Sequence, residues 1–371
     1  MEARFINFCG RFLFGSGAIE KVGNLCEEIG LKGNAVLVND EITWKIAGER
    51  ISGLLRNHGF KQVEKTMVEK GAVRSEVDKA REKIHLLKPS VVFGIGGGVN
   101  MDIAKASACL EKTNCITVPT IFATDAMTSR EATFRGEKRG VDNKPHEGDY
   151  DVSVPPVLAC VVDTDIIKNA PWKFQAAGFA DYIAKICAIS DWNLAYLRGK
   201  DPVYSEYAIM LAKAQVEYLI KNAARIKKKE EDAFNAFLQM LMNDGFLMEM
   251  AGNSRILFGS EHVVAQGLME AHVPGTPESL HGQQVSLGNI LMAYLQGQDW
   301  MAVKKALEEI GAPVTAEQIG LSDEAVIRCL TRAKKINESW LKSDFPNFHT
   351  ILMEKPLTEE TAKKIARETE V

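Results

Sequence analysis

Residues Val91 to Ala106 read VVFGIGGGVNMDIAKA. An apolar run of β-favouring residues enters three consecutive glycines, and a helix-periodic stretch follows at once, which is how one βα unit of a parallel sheet is written. The same alternation recurs over roughly the first 165 residues, the length of an ordinary domain. AVLVN (Ala35 to Asn39) precedes a helical pattern from Glu41 to about Arg56, and CITVP and LACVVD are further buried strands. From Pro171 onward nearly everything is helix-periodic, as in YSEYAIMLAKAQVEYLIKNAARI and AFNAFLQMLMNDGFLMEMA. The expected architecture is an α/β domain over residues 1–165 joined to an all-α domain over 166–371. A cleft between two such domains is a natural ligand site. The polar stretch from Arg135 to Pro156 reads as a surface hairpin or loop.

Gly96, Gly97 and Gly98 leave backbone N–H groups free where a helix begins, and the helix dipole favours an anion there. Lacking Cβ atoms, they would let a pyrophosphate approach the main chain. The pattern is not G-x-G-x-x-G, because Val99 stands where the third glycine belongs. A purely structural turn is the alternative. Asp40, at the end of AVLVND, can accept hydrogen bonds from an adenosine ribose, which favours NAD over NADP; equally, it can cap the helix that starts at Glu41.

The net charge of −4 gives no electrostatic case for nucleic acid or an anionic membrane as partner. The basic run RIKKKEED is answered at once by acids and reads as a solvated helix end. No stretch reaches the ~18 apolar residues of a membrane span, and MEARFINFCGRF lacks a signal peptide's apolar core. Cytoplasm is the expected compartment. Seven scattered cysteines without a CxxC pair argue for reduced thiols rather than a disulfide framework or a cysteine zinc site.

Five motifs in order, GIGGGVNMDIAK, VPTIFATDAMTS, GFADYIAKICAISDW, SRILFGSEH and LHGQQVSLG, make the chain similar to the superfamily of glycerol dehydrogenases, glycerol-1-phosphate dehydrogenases and dehydroquinate synthases. The helical half resembles the glycerol-1-phosphate branch, and the resemblance covers nearly the whole chain. It implies a dehydroquinate synthase-like fold, an α/β Rossmann-like nucleotide-binding domain over 1–165 and an all-α domain over 166–371, with a divalent metal in the cleft held by Asp181, His262 and His281. It also implies dinucleotide contacts from Gly97, Gly98, Asn100, Asp102, Thr120, Ala123 and Ser129, with Asp125 on a substrate hydroxyl. Each has a plainer alternative: Asp181, read in the first turns of a helix after Gly178, could complement the dipole; the two histidines could be hydrogen-bonded core residues; Asp125 could be a turn residue.

One carboxylate and two imidazoles suit Zn²⁺, Ni²⁺ or Fe²⁺, and three protein ligands leave room for substrate oxygens. The implied chemistry is hydride transfer between NAD or NADP and a small polyol or polyol phosphate, the metal polarising the carbonyl oxygen. Dihydroxyacetone phosphate with glycerol 1-phosphate is the leading pair, and dihydroxyacetone with glycerol follows. Further alternatives are a cyclase using NAD transiently and a binding protein that keeps the fold without the chemistry. The expected partners are the small substrate and further copies of the chain, as a homo-oligomer. Gln266 stands where the glycerol-1-phosphate branch carries a histidine, four residues after His262 on the same helix face. A glutamine can hydrogen-bond a ligand but brings no positive charge to a phosphate. The bulky ILF before Gly259 and a longer hairpin after Arg130 are further departures from that branch.

Overall fold

The computed structural model describes residues 4–136, 138–144, 150–272, 279–342 and 345–371. Part of the polar stretch after Arg135 lies outside them. The described chain forms two compact units: one runs up to Ala170 and includes Met242–Phe246, and the other comprises Pro171–Leu241 and Leu247–Val371.

In the first unit the strands are β1 (Phe12–Gly15), β2 (Asn34–Asn39), β3 (Gln62–Met67), β4 (Val91–Gly96), β5 (Asn114–Pro119), β6 (Glu131–Phe134), β7 (Tyr150–Ser153) and β8 (Ala159–Asp163). Six of them form one sheet in the order β1-β8-β5-β4-β2-β3, parallel at every pairing. The central strands read as unbroken apolar runs because both faces are covered. Ala35, Leu37, Val91, Phe93 and Ile95 enter one core, while Val36, Val38 and Val92 enter the other, as the two-residue period of a strand requires. β6 and β7 pair separately as an antiparallel ribbon.

The chain runs from β2 outward to β3, then returns to place β4 on the other side of β2. The carboxyl ends of β2 and β4 therefore flank a topological switch point, where open α/β sheets receive ligands. Asp40 follows β2 and Gly97 follows β4. Both candidates of the nucleotide end thus stand at that point.

The helical pattern from Glu41 is continuous to Asn57 but contains a wider π turn at Trp44–Gly48. In the second unit the pattern from Tyr204 becomes a helix at Glu206–Lys227, capped by the Ser205 hydroxyl. The later run AFNAFLQMLMNDGFLMEMA is not one helix: it breaks at Asn243 into Glu231–Met242 and Asp244–Ala251. The residues around the break belong with the first unit, where the Thr128 hydroxyl donates to the Met242 carbonyl and accepts from the Gly245 N–H. All seven cysteines are free. No helix among the described residues is long and apolar enough to cross a membrane.

Candidate metal centre and nucleotide-binding turn

Three helices of the second unit carry the metal candidates: Trp172–Ile183 holds Asp181, Ser260–Glu270 holds His262, and His281–Leu295 begins with His281. The start of the last is fixed by the Gln283 side chain, which accepts the Leu280 N–H at 2.8 Å. His262 Nε2 lies 3.2 Å from Asp181 Oδ1, and His281 Nε2 lies 3.6 Å from the same oxygen. One ligand atom from each residue falls within 4.8 Å of the others. Bonds of about 2.0–2.2 Å at tetrahedral angles would separate ligand atoms by roughly 3.3–3.6 Å. The separations of 3.2 and 3.6 Å from Asp181 are those of ligand pairs on a small divalent ion.

Asp181 is not where the sequence placed it. It lies in the last turn of its helix, which starts at Trp172 and runs through Gly178. The dipole disfavours a carboxylate at that end, so dipole complementation does not explain it and cations must. Burial opposes ionisation of Asp181, yet the His262 hydrogen bond and the charges of His281, His262 and Lys185 outweigh it and hold its pKa below the ordinary value. Burial alone would lower the pKa of His262. Its hydrogen bonds to Asp181 and Glu261 prevail and raise it to about 9.

At the nucleotide end, Gly96 adopts φ +141° and any Cβ there would lie 2.3 Å from Asn100 Nδ2. Only glycine fits. Gly97 precedes the helix Gly98–Leu110 in extended conformation without a side-chain cap, so the first N–H groups of that helix have no intrahelical partner. Asp40 does cap its helix: Oδ1 accepts the Ile42 and Thr43 N–H groups, both at 2.8 Å. Its other oxygen, Oδ2, accepts from Asn100 Nδ2 at 2.8 Å. A carboxylate oxygen has two acceptor positions, so Oδ2 keeps capacity for a ribose hydroxyl. The capping and the ribose readings are compatible.

A model of the iron-containing alcohol dehydrogenase family matches residues 13–171. Over its whole length the chain is 34% identical to glycerol-1-phosphate dehydrogenase [NAD(P)+] of Methanosarcina mazei, of which it covers 97%. The chain belongs to the glycerol-1-phosphate dehydrogenase family. The enzyme of that name from Hyperthermus butylicus is 35% identical over 97% of each chain. Glycerol dehydrogenase from Schizosaccharomyces pombe superposes with TM-score 0.75 at 19% identity, over 100% of this chain and 91% of that one. The dehydroquinate synthase-like fold implied by the five motifs is the fold found.

Within this glycerol-1-phosphate dehydrogenase family member, the remaining candidates fall into distinct settings. Asn100 is buried and spends its amide on Asp40, Thr43 Oγ1 and the Ile95 carbonyl, so it ties the end of β4 to the residue after β2. Asp102 and Ser129 are buried around Lys105, whose ammonium lies 2.9 Å from Asp102 and 3.3 Å from the Ser129 hydroxyl and donates to the Glu131 carbonyl. Burial pushes Asp102 up to about 6 against the pull of Lys105. Thr120 is buried, and its N–H bonds to the Gly96 carbonyl across the strand ends. Ala123 and Asp125 are half-buried. Asp125 starts a short 3-10 turn, and its carbonyl accepts the N–H groups of Thr128 and Ser129. Gln266 is half-buried and its amide lies 3.4 Å from Glu270.

Sequence reasoning overlooked three charged groups. Lys105 and Lys185 are both buried, and helical spacing alone assigns such lysines to a solvated face. Glu261 stands next to His262 in the motif GSEH, where adjacency hides it: neighbours on a helix ordinarily point about 100° apart.

Proposed function

We propose that this chain is a metal-dependent, NAD(P)-linked dehydrogenase that reduces dihydroxyacetone phosphate to sn-glycerol 1-phosphate. The observation that carries the reading is the convergence of Asp181, His262 and His281 at ligand spacing. The names borne by full-length relatives support it. When bound, a divalent ion (zinc first by its donor set, nickel or iron as alternatives) would polarise the substrate oxygen while the reduced nicotinamide supplies hydride. Asp181 and the two imidazoles hold that ion. Gly97 and Gly98 present N–H groups to the pyrophosphate, with Thr120, Ala123 and Ser129 near the dinucleotide and Asn100 fixing Asp40 on the ribose. Asp125 and Gln266 accept and donate hydrogen bonds to substrate hydroxyls.

A second reading is reduction of an uncharged ketone such as dihydroxyacetone. It is favoured by Gln266 and by the aromatic wall beside the metal ligands, in which Phe258 meets the His262 ring edge-on at 6.0 Å and stacks on Phe348. Initial rates with dihydroxyacetone phosphate and dihydroxyacetone decide between them, measured with NADH and NADPH after chelation and re-addition of zinc, nickel or iron. Preference for the phosphorylated ketone supports the first reading. Net loss of NADH absorbance separates both from a cyclase, which returns its cofactor unchanged.

Two further results are expected. Replacing Asp40 with serine keeps an N-cap oxygen and removes the charge that would face a 2′-phosphate. The NADPH-to-NADH ratio of kcat/KM should therefore rise roughly tenfold or more, as relief of a like-charge contact allows. An unchanged ratio would remove Asp40 from cofactor selection.

Metal uptake should also be pH-linked. In the metal-free protein the raised pKa of His262, about 9, keeps the imidazole protonated at neutral pH, and a ligand must be neutral. Each ion bound therefore displaces roughly one proton, and affinity should climb about tenfold per pH unit until the pH passes that pKa. Calorimetry in buffers of different ionisation enthalpy counts the proton directly. By the same linkage, the contribution of this histidine to metal-free stability is full below its unfolded pKa and is lost as pH rises through 9.

A further inference from the structure

The His262 imidazole has two nitrogens, and only Nε2 faces Asp181. Its Nδ1 lies 2.9 Å from Glu261 Oε1. Glu261 is fully buried. Its Oε1 also accepts the Gly259 N–H at 2.6 Å, whereas Oε2 has no hydrogen-bond partner among the described residues. Buried Asp191 lies alongside, its two oxygens spent on the N–H groups of Ser260 and Ile351, each at 2.7 Å. Buried Arg255 lies 3.9 Å from buried Asp201 and stacks on Phe348. Among the described residues, the basic group within hydrogen-bond reach of Glu261 is the His262 ring.

Burying a carboxylate costs several kcal/mol unless close partners return it. A neutral acceptor would have sufficed to bond the Gly259 N–H. The geometry points to Glu261 as the positioning residue of the metal site: its carboxylate holds the His262 proton on Nδ1, turns Nε2 toward Asp181 and His281, and supplies negative charge that a divalent ion compensates through the ring. Outer carboxylates of this kind fix the ligand's tautomer and orientation and make it a stronger donor. The inference rests on the metal-site reading above.

The test compares wild type with Glu261→Gln and Glu261→Met by zinc competition against a chelating dye, together with thermal unfolding of the metal-free and zinc-loaded proteins. Glutamine keeps an oxygen for Nδ1 and for the Gly259 N–H, so the fold survives while the charge is lost. Zinc affinity should fall about tenfold in Glu261→Gln and about a hundredfold in Glu261→Met. The zinc-induced increase in midpoint should shrink in Glu261→Gln, whatever the loss of the Glu261–His262 contact does to the metal-free midpoint. A merely structural glutamate gives a lower metal-free midpoint with an undiminished zinc increment. That result, or affinities equal to wild type in both variants, overturns the inference and leaves the metal site standing. A wild type that takes up no zinc, nickel or iron overturns both.

Discussion

Replacing His281 with alanine is expected to abolish turnover while leaving NADH binding essentially intact. The remaining Asp181–His262 pair, 3.2 Å apart, offers two ligands instead of three, and the Lewis-acid contribution at stake is several kcal/mol, roughly a 10³-fold loss of kcat or more. His281 is half-exposed, with 56% of its side chain accessible, so its removal opens no buried cavity and the fold should hold. The dinucleotide candidates Asp40, Gly97, Gly98 and Asn100 all belong to the first compact unit, and His281 to the second. The ribose and pyrophosphate contacts proposed for those residues do not involve His281, so the dissociation constant for NADH, read by its fluorescence, should stay within about twofold of wild type. Metal content measured on the same preparation should fall with activity. Full activity in a variant that has lost its metal would falsify the metal-dependent reading outright.

The sheet was legible because its central strands are buried on both faces. Val91–Gly96 carries no polar residue that a helix or an exposed strand would need, and its alternate side chains fill two different cores. The edge strands were not. β3, QVEKTM, exposes half its residues at the sheet margin, and β1 spans four residues; neither length nor hydropathy separates such segments from loops. The candidate metal triad was readable only through the order of its motifs, since Asp181, His262 and His281 lie on separate helices and no spacing rule joins them. Position along a helix was less readable still. Gly178 looks like punctuation, yet it sits inside a helix whose first turn follows Pro171, and this moved Asp181 from the favourable end of the dipole to the unfavourable one. Glu261 escaped for a related reason. In the first turn of its helix, its carboxylate folds back to the Gly259 N–H and to His262 Nδ1, a local turn geometry that helical periodicity does not contain.

The helix that begins at His281 carries a second signal, and a second expected result, in the glycines of LHGQQVSLG. A Cβ on Gly282 would stand 2.1 Å from the Ala177 carbonyl oxygen, and one on Gly288 would stand 2.4 Å from the Glu261 carbonyl oxygen. These are backbone atoms of the two helices that hold Asp181 and His262, so the glycines let all three helices approach closely enough for their ligands to meet. Neither obstacle is a flexible side chain that can turn aside. Gly282→Ala gains about 1 kcal/mol of helix propensity and loses about 3 kcal/mol or more to overpacking. The net loss of roughly 2 kcal/mol should lower the unfolding midpoint by about 4–8 °C. The larger effect is on chemistry: widening the gap between the helices by an ångström misplaces His281 from Asp181, and misplacement of that size costs on the order of 10²-fold in rate. The same substitution at Gly53, which has open space around its Cβ position inside the helix Glu49–Asn57, should instead stabilise by about 0.5–1 kcal/mol. Opposite signs at the two glycines, read by thermal unfolding alongside metal content, would locate the constraint in helix approach at the metal centre; a Gly282→Ala protein as stable and as metal-replete as wild type would show that the ligands converge without it.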